Sequence, residues 1–135
     1  MKRSVQREQI FKILFRAEFN DLSEMPLQEE LYFDSGDMVF TDRDRAYITD
    51  KVNAVLERCP EIDGMLAGRL RGWTIDRLGR VELTILRLGV YEILWDEEVP
   101  DGVAISEAVE LAKKFGDENA GPFVNGVLAG FVRRD

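Results

Sequence analysis

Arg77-Leu78-Gly79-Arg80-Val81-Glu82-Leu83-Thr84-Ile85-Leu86-Arg87-Leu88-Gly89-Val90-Tyr91-Glu92-Ile93-Leu94-Trp95-Asp96 is the stretch on which the fold turns. Leu78, Val81, Ile85 and Leu88 repeat at helical spacing, and Leu86, Val90, Ile93 and Leu94 repeat on a second stripe. Together they cover much of a helix circumference, the pattern of a helix enclosed by others. Val81 to Leu86 alone would also suit a buried strand, but the apolar pattern runs far beyond the length of one, so helix is the better reading.

Working outward, the same periodicity recurs. Ile10, Ile13, Leu14 and Ala17 share one face of a helix from Ser4 to about Phe19, with Phe11, Phe15 and Phe19 on a neighbouring stripe. A short helix from Pro26 to Tyr32 follows, with Ser23 as its expected cap and Leu27 and Leu31 as an apolar pair. Thr41-Asp42-Arg43-Asp44 opens a third, carried by Tyr47, Ile48, Val52, Val55 and Leu56 and expected to stop at Pro60. Ile62, Met65, Leu66 and Leu70 mark a fourth, closed by Gly72, and Thr74 is the expected cap of the central helix. After a loop from Asp96 to Gly102, Ile105, Ala108, Val109 and Ala112 define a sixth that ends at Gly116 with Lys113 and Lys114 in its last turn. The last begins near Pro122 and carries Phe123, Val127, Leu128 and Phe131. Seven helical segments without a hairpin signal give an all-α fold, and 135 residues suit a single domain over residues 1–135.

Composition narrows the chemistry. The chain is 45% hydrophobic and 33% charged, enough apolar material for a core. It contains no histidine, which removes histidine-based triads, histidine metal ligands and imidazole proton relays. The single Cys59 forms neither an internal disulfide nor a thiolate cluster, and it fits a reducing compartment. No run of apolar residues is long enough to span a membrane, and the first residues lead into a charged amphipathic stretch, so a cytoplasmic protein is expected. Adjacent acids such as Glu29-Glu30 and Glu97-Glu98 point apart and belong to solvated surface. Gly64, Gly68 and Gly72 are separated by helical residues and form no phosphate cradle. Trp73 and Trp95 are core or rim aromatics. Catalytic residues, metal ligands and cofactors are therefore expected to be absent.

The net charge of −8 argues against nucleic acid, yet its distribution is uneven. Lys2, Arg3, Arg7, Lys12 and Arg16 face only Glu8 within residues 1–16, and five arginines face two acids within residues 64–90. Residues 17–63, by contrast, hold thirteen acids and four bases.

Three motifs in order carry a family resemblance. Pro100-x-x-Val103-Ala104-Ile105-Ser106-Glu107-Ala108-Val109-Glu110-Leu111-Ala112-Lys113-Lys114-Phe115-Gly116, with Phe123-Val124-Asn125-Gly126-Val127-Leu128 after it, resembles the C-terminal signature of the NusB transcription antitermination family. Ile85-Leu86-Arg87-Leu88-Gly89-Val90-Tyr91-Glu92-Ile93 is similar to that family's central helix, and Arg7-Glu8-x-x-Phe11-Lys12-x-Leu14-Phe15 to its opening. Ser106 stands where the family pattern has asparagine, and the resemblance is weakest from Asp21 to Phe40.

The resemblance implies two small perpendicular helical bundles, no enzymatic activity and no cofactor. It implies binding to boxA-type single-stranded RNA of nascent transcripts together with the small-subunit ribosomal protein NusE, and association with other antitermination factors and RNA polymerase. The family's RNA surface falls on Lys2, Arg3, Arg7, Phe15, Arg77, Asn119 and Phe123, and its protein-partner surface on Glu82 and Arg87. For Phe15 and Phe123 the competing reading is core packing. A second class of function, a helical module of the kind attached to ribosomal RNA methyltransferases, would need a catalytic domain beyond Asp135. Whether the free protein is a monomer or a homodimer stays open.

Overall fold

The computed structural model describes residues 1–36, 38–70 and 74–132; Gly72 and Trp73, read above as a helix end and a rim aromatic, lie outside them. The described residues contain six α-helices and two 3-10 turns, and none of them forms a strand. In order they are α1 (Arg3–Arg16), a turn at Leu22–Glu24, α2 (Met25–Asp34), α3 (Asp42–Ala67), a turn at Ile75–Arg77, α4 (Arg80–Trp95), α5 (Asp101–Phe115) and α6 (Ala120–Ala129). Two compact units divide the chain, Met1–Glu57 and Arg58–Asp135. No helix among the described residues is long and apolar enough to cross a membrane.

Six helices stand where seven were expected because α3 does not stop at Pro60. A proline inside a helix costs about 3 kcal/mol through its missing N–H and its clash with the preceding turn. Here the apolar stripe Ile48, Val52, Val55 continues in phase as Ile62 and Leu66, all five fully buried. Burying Ile62 and Leu66 contributes about 1.5–3 kcal/mol each, enough to offset the proline. Tertiary burial overrides the local breaker.

Two expected caps are also displaced. Ser23 falls within the 3-10 turn before α2, whose N-cap is Glu24. Thr74 only precedes the 3-10 turn Ile75–Arg77, its side chain making no capping hydrogen bond, and α4 starts later, behind Gly79. Thr41 behaves as expected: the Asp44 N–H donates to its Oγ1 at 3.0 Å and fastens the start of α3.

In the first unit α1 packs against α2, with Ile10, Phe11, Ile13, Leu14, Met25 and Phe33 in its core. α2 presents Met25, Glu29 and Phe33 inward at i, i+4, i+8. Glu29 is thereby buried with Oε1 lacking a hydrogen-bond partner, and burial raises its pKa above 4.5.

In the second unit α4 is the central helix that its sequence specifies. Leu83, Ile85, Leu86, Leu88 and Val90 are all buried, on several sides of the helix, while α5 and α6 pack on α4 and on each other. Ala104, Ala108 and Ala112 give α5 a thin buried face. Gly89 gives α4 the same property toward α6: a Cβ there would lie 2.7 Å from Cδ1 and 3.1 Å from Cδ2 of the fully buried Leu128.

This close approach makes a test. Gly89→Ala overpacks the α4–α6 contact and is expected to cost about 1–3 kcal/mol in urea unfolding. Leu128→Ala also destabilises, but the pair combined should lose less than the sum of the two, because each relieves the other.

Candidate nucleic-acid interface

The sequence-predicted residues fall into two groups, each held within one unit. In the first unit, Lys2 is the N-cap of α1, and no acid occupies that helix's first turn. Lys2 and Arg3 are exposed, an arrangement that the helix macrodipole disfavours by a few tenths of a kcal/mol for each cation.

What fixes this end is Asp44. Gln6 Nε2 donates to its Oδ1 at 2.9 Å, the Thr41 hydroxyl donates to its Oδ2 at 2.9 Å, and the N-terminal ammonium lies 3.6 Å from Oδ1. Arg3 Nη1 donates to Gln6 Oε1 at 2.7 Å, and its guanidinium lies 3.8 Å over the Tyr47 ring. The Thr41 hydrogen bond is the main cause holding the Asp44 carboxyl below its usual value, with Gln6 and the ammonium adding to it.

Arg7 departs from the expectation that grouped it with Lys2 and Arg3. It sits in the second turn of α1, only 5% exposed, on the inward side with Gln6 and Gln9, and its side chain is engaged there. Its sequence position beside the helix start gave no sign of this, because helical phase and not proximity decides which side a residue faces. Phe15 is half-buried in a run of rings, 6.1 Å from Phe11 and 5.4 Å from Phe19, and Phe19 is the more exposed at 58%.

In the second unit, Arg77, Glu82, Asn119 and Phe123 line one open cleft of about 420 Å³, together with Leu78, Gly79, Asp117 and Ala120. Arg77 stands in the 3-10 turn ahead of α4 and not on the helix itself. Asn119 is the N-cap of α6, and its N–H donates to Asp117 Oδ1 at 2.9 Å in an Asx turn. Phe123 lies one turn into α6, half-buried, and also lines a second groove of about 610 Å³ with Arg69, Leu70, Pro122 and Val127.

Glu82 folds back over Gly79, the N-cap of α4, and a Cβ on Gly79 would collide with its carboxylate. A carboxylate at a helix start is stabilised by the macrodipole, so Glu82 holds the cleft's rim as well as facing it. Arg87 is engaged internally: its Nε and Nη2 donate to Asp63 Oδ1 and Oδ2 at 2.9 and 2.7 Å, a two-pronged pair between α4 and α3 within the second unit.

Sequence reasoning missed Asp117 and Arg69. Asp117 had a local signal in its spacing from Asn119, two residues on, which suits a turn closed by a side chain. Arg69 belongs to the basic run within residues 64–90, and in the structure its guanidinium lies exposed, 4.8 Å over the ring of buried Phe131. Among the described residues no group of histidine, cysteine and carboxylate side chains is arranged to hold a metal.

Residues 4–133 match the model of the NusB family. The chain is 47% identical over 132 residues to the transcription antitermination protein NusB of Agathobacter rectalis, covering 98% of this chain and all of that one. A NusB structure from T. maritima superposes with a TM-score of 0.84 at 31% identity, covering 97% of this chain and 90% of that one. A crystal structure of the antitermination factors NusB and NusE with double-stranded RNA superposes at 0.81 and 32% identity, covering 97% of each chain.

Two measurements test these assignments. Phe131→Ala removes a buried ring and is expected to cost about 3–5 kcal/mol, whereas Phe123→Ala at its half-exposed position should cost about 1–2 kcal/mol, both by denaturant titration. Asp44 has a folded pKa below its ordinary 3.8, so its contribution is full above that value and fades as pH falls through the lowered one. Asp44→Asn should therefore be less stable at neutral pH and show a shallower acid loss between about pH 5 and pH 2.

Proposed function

The chain belongs to the NusB family, and on that premise we propose that it is a transcription antitermination factor that binds boxA-type RNA of nascent transcripts, notably ribosomal RNA. It does so as a heterodimer with the ribosomal protein NusE and joins the elongating RNA polymerase with the other antitermination factors. It acts by binding and has no catalytic role.

One observation carries the RNA reading for these residues: Arg77, Asn119 and Phe123, up to 46 positions apart, meet at a single open cleft. The chemistry suits RNA. A partly exposed aromatic ring offers a stacking platform for an unpaired base, a neighbouring arginine offers a phosphate contact, and an amide reads a base edge. Lys2 and Arg3 add cations in the first unit, and Phe15 adds a ring there. Arg7, buried, serves by positioning α1 and not by touching phosphate.

An acidic chain that binds RNA needs its repulsion balanced. A basic partner supplies much of the phosphate neutralisation, and this chain contributes its few local cations. Glu82 and Arg87 are the residues proposed to meet that partner. Because Arg87 is already paired with Asp63, its share is to hold the α4 surface in place, while Glu82 presents a carboxylate toward a basic surface.

Fluorescence anisotropy with labelled boxA RNA, single-stranded and double-stranded, with and without NusE, tests this. With three phosphate contacts from Lys2, Arg3 and Arg77, the log-log salt slope of the chain alone on single strands should be roughly −2, steepening when NusE is added. Phe123→Ala with Arg77→Ala should weaken RNA binding by about 1–3 kcal/mol, and Lys2→Glu with Arg3→Glu should weaken it while leaving NusE association intact. RNA affinity unchanged in both pairs of variants would remove the RNA surface from these residues.

A further inference from the structure

The outward side of α2 is unused by everything described so far. Met25, Glu29 and Phe33 point it into the first unit's core, so Leu27 and Leu31, about 200° and 240° round from Met25, face away from that core. They are 57% and 48% exposed. Single exposed leucines are ordinary, but Leu27 and Leu31 stand one turn apart on the same side of α2 and form a continuous apolar stripe.

Their charge setting is predominantly acidic, the cation that reaches α2 from α1 being Arg16, which donates to Gln28 at 3.1 Å and lies 5.2 Å over the Tyr32 ring. Residues 17–36 contain six acids and no base. Of these, Asp21, Glu24 and Glu30 are exposed and make no ion pair among the described residues, while Glu29 is turned inward and Asp34 lies 3.8 Å from Arg45. An apolar stripe rimmed by unneutralised carboxylates repels phosphate, so it is not a continuation of the RNA surface. It is also poorly matched to a second copy of itself, because a self-complementary interface would bring like charges together. What it does match is a polypeptide that brings apolar side chains to the leucines and lysines or arginines to the rim.

We propose that the Leu27–Leu31 face of α2 is a docking surface for a basic amphipathic protein segment. The leucines supply the desolvated centre of the contact, and Asp21, Glu24 and Glu30 supply the electrostatic rim that selects the partner's sign and speeds encounter. Neither Leu27 nor Leu31 belongs to the RNA cleft or to the Glu82 and Arg87 surface, so this docking is separable from the function proposed above.

A synthetic amphipathic helix of about 14 residues, with leucines on one face and lysines on the other, serves as probe, titrated into the full 15N-labelled chain. Amide shifts are expected to concentrate within residues 24–34. Leu27→Asn with Leu31→Asn should weaken the probe at least roughly tenfold, and Glu24→Gln with Glu30→Gln by a further salt-dependent factor, with cooperative melting and boxA RNA affinity retained. The same peptide with glutamates in place of lysines should not bind. Shifts spread over other acidic surfaces, equal binding by the leucine variant, or binding of the glutamate peptide would overturn the proposal. Self-association in sedimentation that the leucine variant abolishes would assign the face to a second copy. Flotation with phosphatidylcholine vesicles lost in the same variant would assign it to a membrane, and either result overturns the proposal as well.

Discussion

The second unit rests on enclosing α4, and α4 is enclosed because Gly89 lets α6 approach it. A helix with apolar residues on several sides gains from burial only where its neighbours come close enough to exclude water. A methyl group at position 89 would collide with Leu128, so the absence of a side chain there sets the spacing between the two helices. The cleft follows from that spacing. Asn119 and Phe123 lie at the start of α6, Arg77 and Glu82 at and just before the start of α4, and fixing one helix against the other fixes all four around a common opening. Core packing and site geometry are the same constraint seen at different depths.

The first unit reaches a comparable result by polar means. Asp44 gathers Thr41, Gln6 and the N-terminal ammonium, and Gln6 in turn receives Arg3. A carboxylate that accepts several hydrogen bonds stays charged and keeps its donors in place. The chain's first residues, which would otherwise fray, are therefore tied to the beginning of α3, and Lys2 and Arg3 are presented from a fixed base. That tether also explains cations at a helix start, where they oppose the macrodipole. The few tenths of a kcal/mol that this costs are small beside a network of charge-assisted hydrogen bonds.

Much of this was legible in the sequence, and what was not has identifiable causes. Helical periodicity located the helices, because a 3.6-residue apolar repeat usually reflects burial, but it assigned α2 the wrong inward face: the apolar pair Leu27 and Leu31 is exposed, and Met25, Glu29 and Phe33 are buried instead. It misplaced the end of α3, since Pro60 is a local signal and the in-phase stripe from Ile48 to Leu66 is a stronger, longer-range one. Ser23 and Thr74 misled for a related reason: each has a side chain of the capping type, but a 3-10 turn intervenes before the α-helix. In the site, the family resemblance named Arg77, Asn119 and Phe123, of which only Phe123 lies in a quoted motif, and no spacing rule could have shown that they share one cleft. Arg7 shows the reverse. Its charge suggested solvent, while its phase on α1, one residue from Gln6 and three from Ile10, places it on the inward side.

The distribution of charge reconciles a strongly acidic chain with nucleic acid. Electrostatic binding to RNA depends on the few cations within reach of phosphate and much less on net charge, because screening limits the influence of distant carboxylates to roughly 8 Å at physiological salt. Lys2 and Arg3 stand on a stretch that carries a single acid, Glu8, and that acid lies 3.4 Å from Lys12. Arg77 and Arg69 belong to a run in which bases outnumber acids. The acids are concentrated elsewhere, most densely in residues 17–36, where no base accompanies them. Such segregation gives one chain surfaces of opposite preference: phosphate is accepted where the local balance is positive and rejected where it is negative. A net charge of −8 is thus compatible with local surfaces that attract phosphate, because the cations and the densest acids occupy different stretches of the chain.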